Sequence, residues 1–417
     1  MQDIVGLACA PLWYRMGAVP RLDARRRLAF VLVGAAVLSG VAPAPATAFR
    51  RLPRGSRVWH EMGLPAFRGV TVGPIESSQQ PGKGYGTPYS AALLDELAAM
   101  GVNWISITPF GRLWSLGSTE ILMDFEAPYE ENRRAVRAII RQAHARGIHV
   151  MVVPHLWVET EGWRGEVDPE TPEGWEEYQA SYRRFVMSWA EDAALAEADA
   201  FSIGVECKSW SGRFAPFWYG LIAEVRSVFP GWLTYSANWD EVENVTFWDA
   251  LDLIGVNAFY PLAPHAGATD EEYRQGALSH VEPLRELAEW LETPVLFLEV
   301  GYTTRPDAAV EPWLWPDGMR EVVFDEREQA RALQATFDAF LPEDWFVGFF
   351  VWRYYANLDD VSQEAIWGFS PHAKRAELLL AEVFGDAWGV DADLWMAAPT
   401  VGRRPRGYIH AGLFAVP

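Results

Sequence analysis

The stretches FSIGVECKS (Phe201–Ser209) and VLFLEVGY (Val295–Tyr302) decide the architecture. Each is a short apolar run, rich in β-branched and aromatic residues, that stops at one glutamate, Glu206 or Glu299. Buried parallel strands read as such continuous runs, so both carboxyls fall where a strand leaves the core. Similar runs recur at about 67–72, 102–108, 148–154, 233–236, 253–257 and 347–352. Helical patterns separate them: one closes at Gly101, and others span 129–146, 172–196, 215–228, 271–291, 326–340 and 373–383, with a short piece near 245–250. Glycine directly after a periodic segment is a helix C-terminal signal. Eight strand–helix units predict an α/β chain closed into a (β/α)8 TIM barrel, a single domain. Parallel strands need crossover helices, and these bury both faces of the sheet. An open doubly wound sheet would carry a glycine-rich turn after its first strand, but Gly73-Pro74 leads into no GxGxxG.

In such a barrel the chemistry lies at the carboxyl-terminal mouth. The residues expected there are Phe110 and Trp114; His155 and Trp157, with Trp163 further along; Lys208 beside Glu206; Asn238, Trp239 and Asp240; Asn257 and Tyr260; Tyr302; and Trp352 with Arg353. A ring of polar and aromatic groups at every strand end reads as a sugar cleft, because indole faces stack on the C–H faces of sugar rings. Any single tryptophan is as readily structural.

The two glutamates fall on strands four and seven. Retaining glycosidases hold two carboxyl groups about 5–5.5 Å apart, one as acid/base and one as nucleophile. At that separation and an effective dielectric near 20, two negative charges repel by about 3 kcal/mol, roughly two pKa units. One carboxyl then keeps its proton while the other ionises. Tyr260 is placed to donate its hydroxyl to the nucleophile. The bland alternative is that each glutamate merely ends a strand beside an arginine or lysine.

Composition narrows the partners. The chain has 417 residues, 50% hydrophobic and 14% aromatic, with 21 tryptophans and a formal net charge of −21. So acidic a surface repels nucleic acid and anionic lipid. Residues 1–48 read as a cleaved signal peptide, with Arg21, Arg25, Arg26 and Arg27 before the apolar run 28–41 and Ala46-Thr47-Ala48 at the cleavage point. Met16 is an alternative start. Residues 1–48 carry five Arg and two Asp, so their removal takes the charge from −21 to −24. A linker over 49–65, a catalytic domain over 66–385 and an irregular tail over 386–417 complete the expected organisation. The expectation is a secreted or periplasmic monomer without a membrane anchor after cleavage. Cys9 leaves with the signal, and Cys207, with no histidine at motif spacing, reads as a packed thiol. His149 and His155 are six apart and no HxH follows the first strand, so neither a catalytic metal nor another cofactor is expected.

Strand-four and strand-seven glutamates on this pattern resemble clan A of the retaining glycoside hydrolases. More narrowly, the chain resembles glycoside hydrolase family 113, whose characterised members are endo-β-1,4-mannanases. The likeness is carried by STEI (Ser118–Ile121), PHLW (Pro154–Trp157), WRGE (Trp163–Glu166), SIGVEC (Ser202–Cys207), ANWDEVENVTFWDALDLIGVNAFYPL (Ala237–Leu262), FLEVGY (Phe297–Tyr302) and FSPHAKRAE (Phe369–Glu377). It covers about 67–384. By position the resemblance implies Glu206 as acid/base, Glu299 as nucleophile and Trp352 as a sugar platform, with a β-linked, mannan-like glycan as substrate. One departure stands out: most of the clan has asparagine immediately before the acid/base, contacting the sugar 2-hydroxyl, and here that residue is Val205. Either Asn238, Asn257 or His155 takes over the contact, or the substrate differs. The rival readings are a catalytically inactive glycan-binding barrel of the cell envelope, and an aromatic surface for a protein partner.

Overall fold

Eight parallel strands close on themselves, and their carboxyl ends gather the residues of the mouth. The computed structural model describes residues 66–73, 82–124, 127–314, 323–358 and 367–386. The expected signal peptide, linker and most of the tail lie outside the described residues. The barrel strands are β1 (Phe67–Gly73), β2 (Trp104–Ile107), β4 (His149–Val152), β6 (Ala200–Val205), β7 (Trp232–Asn238), β8 (Ile254–Asn257), β9 (Val295–Val300) and β10 (Phe346–Tyr355). Around the barrel they run β1-β10-β9-β8-β7-β6-β4-β2. Glu206 therefore follows the fourth barrel strand and Glu299 lies within the seventh, as the apolar runs implied.

Helices alternate with the strands: α1 (Pro88–Ala99), α2 (Tyr129–His144), α3 (Pro172–Leu195), α4 (Ala215–Val228), α5 (Asp270–Ser279), α6 (Val281–Leu291), α7 (Glu326–Phe340) and α8 (Arg375–Asp386). Their starts are written in the sequence. Thr87 and Thr171 cap α1 and α3 with their hydroxyls ahead of a first-turn proline, and Thr269 with Glu272 forms a capping box on α5. The helix expected over 271–291 is two, meeting at His280. The piece near 245–250 is a pair of 3-10 turns, Val242–Asn244 and Trp248–Ala250. Among the described residues no helix is long and apolar enough to cross a membrane.

Two strands were not expected. Past Thr108-Pro109 and Val153-Pro154 the chain resumes as β3 (Phe110–Leu113) and β5 (His155–Val158), which pair with each other outside the barrel. Each proline removes one ladder donor. The two-stranded extension so formed stands on one side of the mouth.

Inside the barrel the lower layer is a floor of large side chains: Phe67, Trp104, Leu253, Leu296, Val347 and Phe350, with Trp232 at its edge. Phe67 and Trp104 lie 4.5 Å apart by ring centroid, and Trp104 stacks on Trp232 at 5.8 Å. Gly69 makes room for this packing, because a Cβ there would sit 2.4 Å from the Phe350 ring. Above the floor the interior turns polar, with buried Thr71, Ser106, Ser202, Thr234 and Ser236. Several of the tryptophans are structural. Trp175, Trp210 and Trp218 pack with Tyr178, Tyr182 and Tyr235 between the sheet and the helices.

Candidate active site

The carboxyls of Glu206 and Glu299 meet at the mouth through one residue. Asn257, the last residue of β8 and wholly buried, accepts a hydrogen bond from Ser236 Oγ on its Oδ1 at 2.6 Å, which fixes its amide orientation. Its Nδ2 then donates to Glu206 Oε1 at 2.8 Å, while its backbone lies in register with Glu299 on the neighbouring strand.

Glu206 is 5% exposed and sits at φ +50°, a left-handed conformation uncommon outside glycine that is held only where the surroundings impose it. The turn swings its side chain from the end of β6 into the cleft. Two further donors converge on its Oε2, Trp163 Nε1 at 2.9 Å and an Arg164 guanidinium nitrogen at 2.8 Å. Both come from the loop beyond β5. The arginine partner foreseen in the bland reading is therefore present, but it lies in the cleft beside a second carboxyl.

Glu299 is 3% exposed, and its Oε1 lies 2.9 Å from His155 Nε2. Burial, and next the charge of Glu206, push its carboxyl well above the usual range; Arg164, Arg353 and Asn257 act in the opposite direction. His155 is pushed down to about 3, by burial first and then by Arg164. Its imidazole is therefore neutral, and its Nδ1 faces the Val153 carbonyl at 2.8 Å. The ring proton sits on Nδ1 to make that bond, which leaves a lone pair on Nε2. The Nε2–Glu299 contact then requires the proton on Glu299. Tautomer logic and burial point the same way: the proton of this contact sits on Glu299.

Of the other residues read from the sequence, Trp352 lies near-parallel to His155 at 5.9 Å and packs with Phe259 and Phe369. Asn238 donates to Asp240 at 2.7 Å, and Lys208 makes an ion pair with the same carboxylate. Trp239 stacks on Trp313 at 5.7 Å, an aromatic that sequence reasoning missed. Trp114 and Trp157 project from the extension, 64% and 46% exposed, the latter with the Arg112 guanidinium 5.7 Å from its ring centroid.

Tyr260 is a correction. It lies in the layer outside the barrel, 3% exposed, stacked on His280 at 4.2 Å and packed against Phe297 and Phe340. Its ring points away from the cleft, and Glu299 takes its polar contact from His155. Cys207 is buried, and its thiol is pushed up to about 12 by desolvation, which suits the packed thiol expected.

The profile described as Glycoside Hydrolase Family 113 matches residues 77–369, most of the chain. The chain belongs to glycoside hydrolase family 113. As a member of that family the protein is a glycoside hydrolase. No match emerges among curated proteins. Among solved structures the family 113 chain is similar to the GH113 β-mannanase AaManA from Alicyclobacillus acidocaldarius in complex with ManMIm, at 27% identity and a TM-score of 0.67, over 78% of this chain and 98% of that one. A complex structure of a GH113 β-1,4-mannanase shares the fold at 22% identity and TM-score 0.67, over 78% of this chain and all of the other. A glycoside hydrolase family 5 mannosidase from Rhizomucor miehei also shares the fold at 12% identity and TM-score 0.52, over 79% and 95% of the two chains.

Proposed function

We propose that this family 113 protein is an exported, monomeric retaining β-glycosidase that cleaves a mannan-like β-1,4-linked glycan by double displacement. Glu299 is the nucleophile and Glu206 the acid/base. The observation that carries this reading is Asn257, whose amide donates to Glu206 while its backbone pairs with Glu299, which supports two carboxyls close enough to act on one glycosidic bond. The AaManA likeness supplies the substrate class, and residues 1–48 supply export.

Double displacement needs the proton on Glu206 and the charge on Glu299, so the proton held in the His155 contact must first leave Glu299. We infer that the glycan makes the exchange. Seating its glycosidic oxygen against Glu206 displaces the Trp163 and Arg164 donors, and the proton passes from Glu299 to Glu206. Glu299 then attacks the anomeric carbon, and Glu206 protonates the leaving oxygen. Water activated by Glu206 releases the glycosyl-enzyme. Asn257 also fills the place left by Val205: it is the amide beside the acid/base, supplied from the sixth barrel strand instead of the fourth.

The test is product sizing on β-mannan, glucomannan, xylan and β-glucan. Glu206→Gln and Glu299→Gln are each expected to lower kcat by about 10³-fold or more while glycan still quenches tryptophan fluorescence. Turnover unchanged in both variants overturns the assignment. Binding without turnover by the unmodified protein favours the inactive glycan-binding barrel.

A further inference from the structure

Behind Glu206, on the side away from the cleft, runs a buried polar chain that the proposed chemistry does not use. Glu241 follows β7 and is fully buried. Its Oε1 accepts from the Tyr235 hydroxyl at 2.5 Å, and its Oε2 accepts the Asn238 backbone N–H at 3.2 Å. The Tyr235 oxygen in turn accepts the Cys207 backbone N–H at 2.6 Å. A phenol has one proton. Because Glu241 takes it, a lone pair of the oxygen is left facing Cys207. The peptide so anchored is the one immediately after Glu206, where the backbone leaves its left-handed turn.

A buried carboxyl without such work would be costly, and a hydrophobic side chain would serve packing better. Burial pushes Glu241 up to about 7, so the molecule keeps a group there that is costly to ionise. Tyr235 itself is buried among Trp218, Phe247 and Trp248, and that cage fixes its ring whatever becomes of the hydroxyl. The hydroxyl and the carboxyl therefore add direction to packing that already exists.

We propose that Glu241 is a positioning residue for glycoside hydrolysis. Through Tyr235 it anchors the Cys207 peptide and so holds the turn that aims Glu206 into the cleft. Its second oxygen registers the Asn238 end of β7 against the same point, which ties the rim made by Asn238, Asp240 and Lys208 to the acid/base. This inference rests on the assignment of Glu206 as a catalytic residue. Displacing a reacting group by about 1 Å costs up to about 100-fold in rate, so loss of the anchor is read in kcat and not in substrate affinity.

The experiment compares Tyr235→Phe, Glu241→Ala and Glu241→Gln with the unmodified protein and with Glu206→Gln, using β-1,4-mannohexaose and thermal melts. Tyr235→Phe and Glu241→Ala are expected to lower kcat about 10-fold or more with KM within about twofold. Glu241→Gln keeps an acceptor for Tyr235 and is expected to recover most of that loss. Melting temperatures that fall while kcat per folded molecule stays the same in Tyr235→Phe and Glu241→Ala overturn the proposal. Should Tyr235→Phe not fold, the Glu241→Gln and Glu241→Ala pair decides by the same criterion, equal kcat in the two overturning it. Full activity in Glu206→Gln, or no turnover by the unmodified protein, defeats the functional assignment instead.

Discussion

His155 Nε2 lies 2.9 Å from Glu299 Oε1, both residues buried, and the imidazole's other nitrogen is committed to the Val153 carbonyl. As the proposed nucleophile, Glu299 attacks only after losing the proton this contact holds. With an aryl glycoside whose leaving group needs no acid assistance, kcat/KM is therefore expected to rise with pH, and its acid limb to lie above the ordinary glutamate value near 4.3. The charge of Glu206 is among the causes that raise Glu299. Glu206→Gln is thus expected to move that limb to lower pH, measured on the same substrate. A limb that stays in place removes Glu299 from the rate-determining ionisation.

The same elevation makes Glu299 a stability liability. A carboxyl whose folded value is raised stabilises the fold below its unfolded value, and that contribution is lost as pH rises through the folded one. Glu299→Gln presents a neutral amide able to donate to His155 Nε2, as the protonated acid does. Its melting temperature is expected to exceed that of the unmodified protein by about 2 °C or more at pH 8. At pH 4 the gap should close, and a gap that widens there would contradict the assigned direction.

Trp163→Phe removes a single N–H from Glu206 Oε2 while keeping a large aromatic ring. A hydrogen bond to a charged group contributes about 1.5–3 kcal/mol. The expectation is a roughly 10-fold loss in kcat/KM together with a melting temperature lower by a few degrees, about 2–5 °C. Steady-state kinetics beside calorimetry checks both halves.

At the opposite end of the barrel, Asp199 is hydrogen-bonded to His144, His149 and the Val150 N–H. Burial works to raise its carboxyl, but the two histidines outweigh burial and hold it below its ordinary range. The bond to Asp199 raises His149. The histidine contribution is complete below about pH 6.5 and fades as pH rises through the folded value; that of Asp199 is complete above about pH 4 and fades as pH falls. Asp199→Asn should therefore lower the melting temperature more at pH 5.5 than at pH 8.5. Equal losses at both would leave only the Val150 bond.

The strands and both glutamates were legible because buried parallel strands leave continuous apolar runs, and a lone carboxylate ending such a run has little purely structural reason to be there. Asn257 was legible for the same reason. Arg164 and Trp163 were not legible as partners of Glu206: they reach it only because the loop beyond β5 folds back over the mouth. Pro109 and Pro154 read as strand ends, yet proline forbids only its own donor, and the chain resumes its pairing at the very next residue. Tyr260 misled because β8 ends at Asn257, and beyond a strand's last residue alternation no longer says which way a side chain points.

The aromatic floor has a consequence for proton traffic. With Phe67, Trp104 and Phe350 packed across the lower barrel, the two glutamates have apolar side chains beneath them and open toward the mouth. A glycan seated across that mouth covers this opening. In the proposed reaction the proton that starts on Glu299 is then confined to Glu206, His155 and the leaving oxygen.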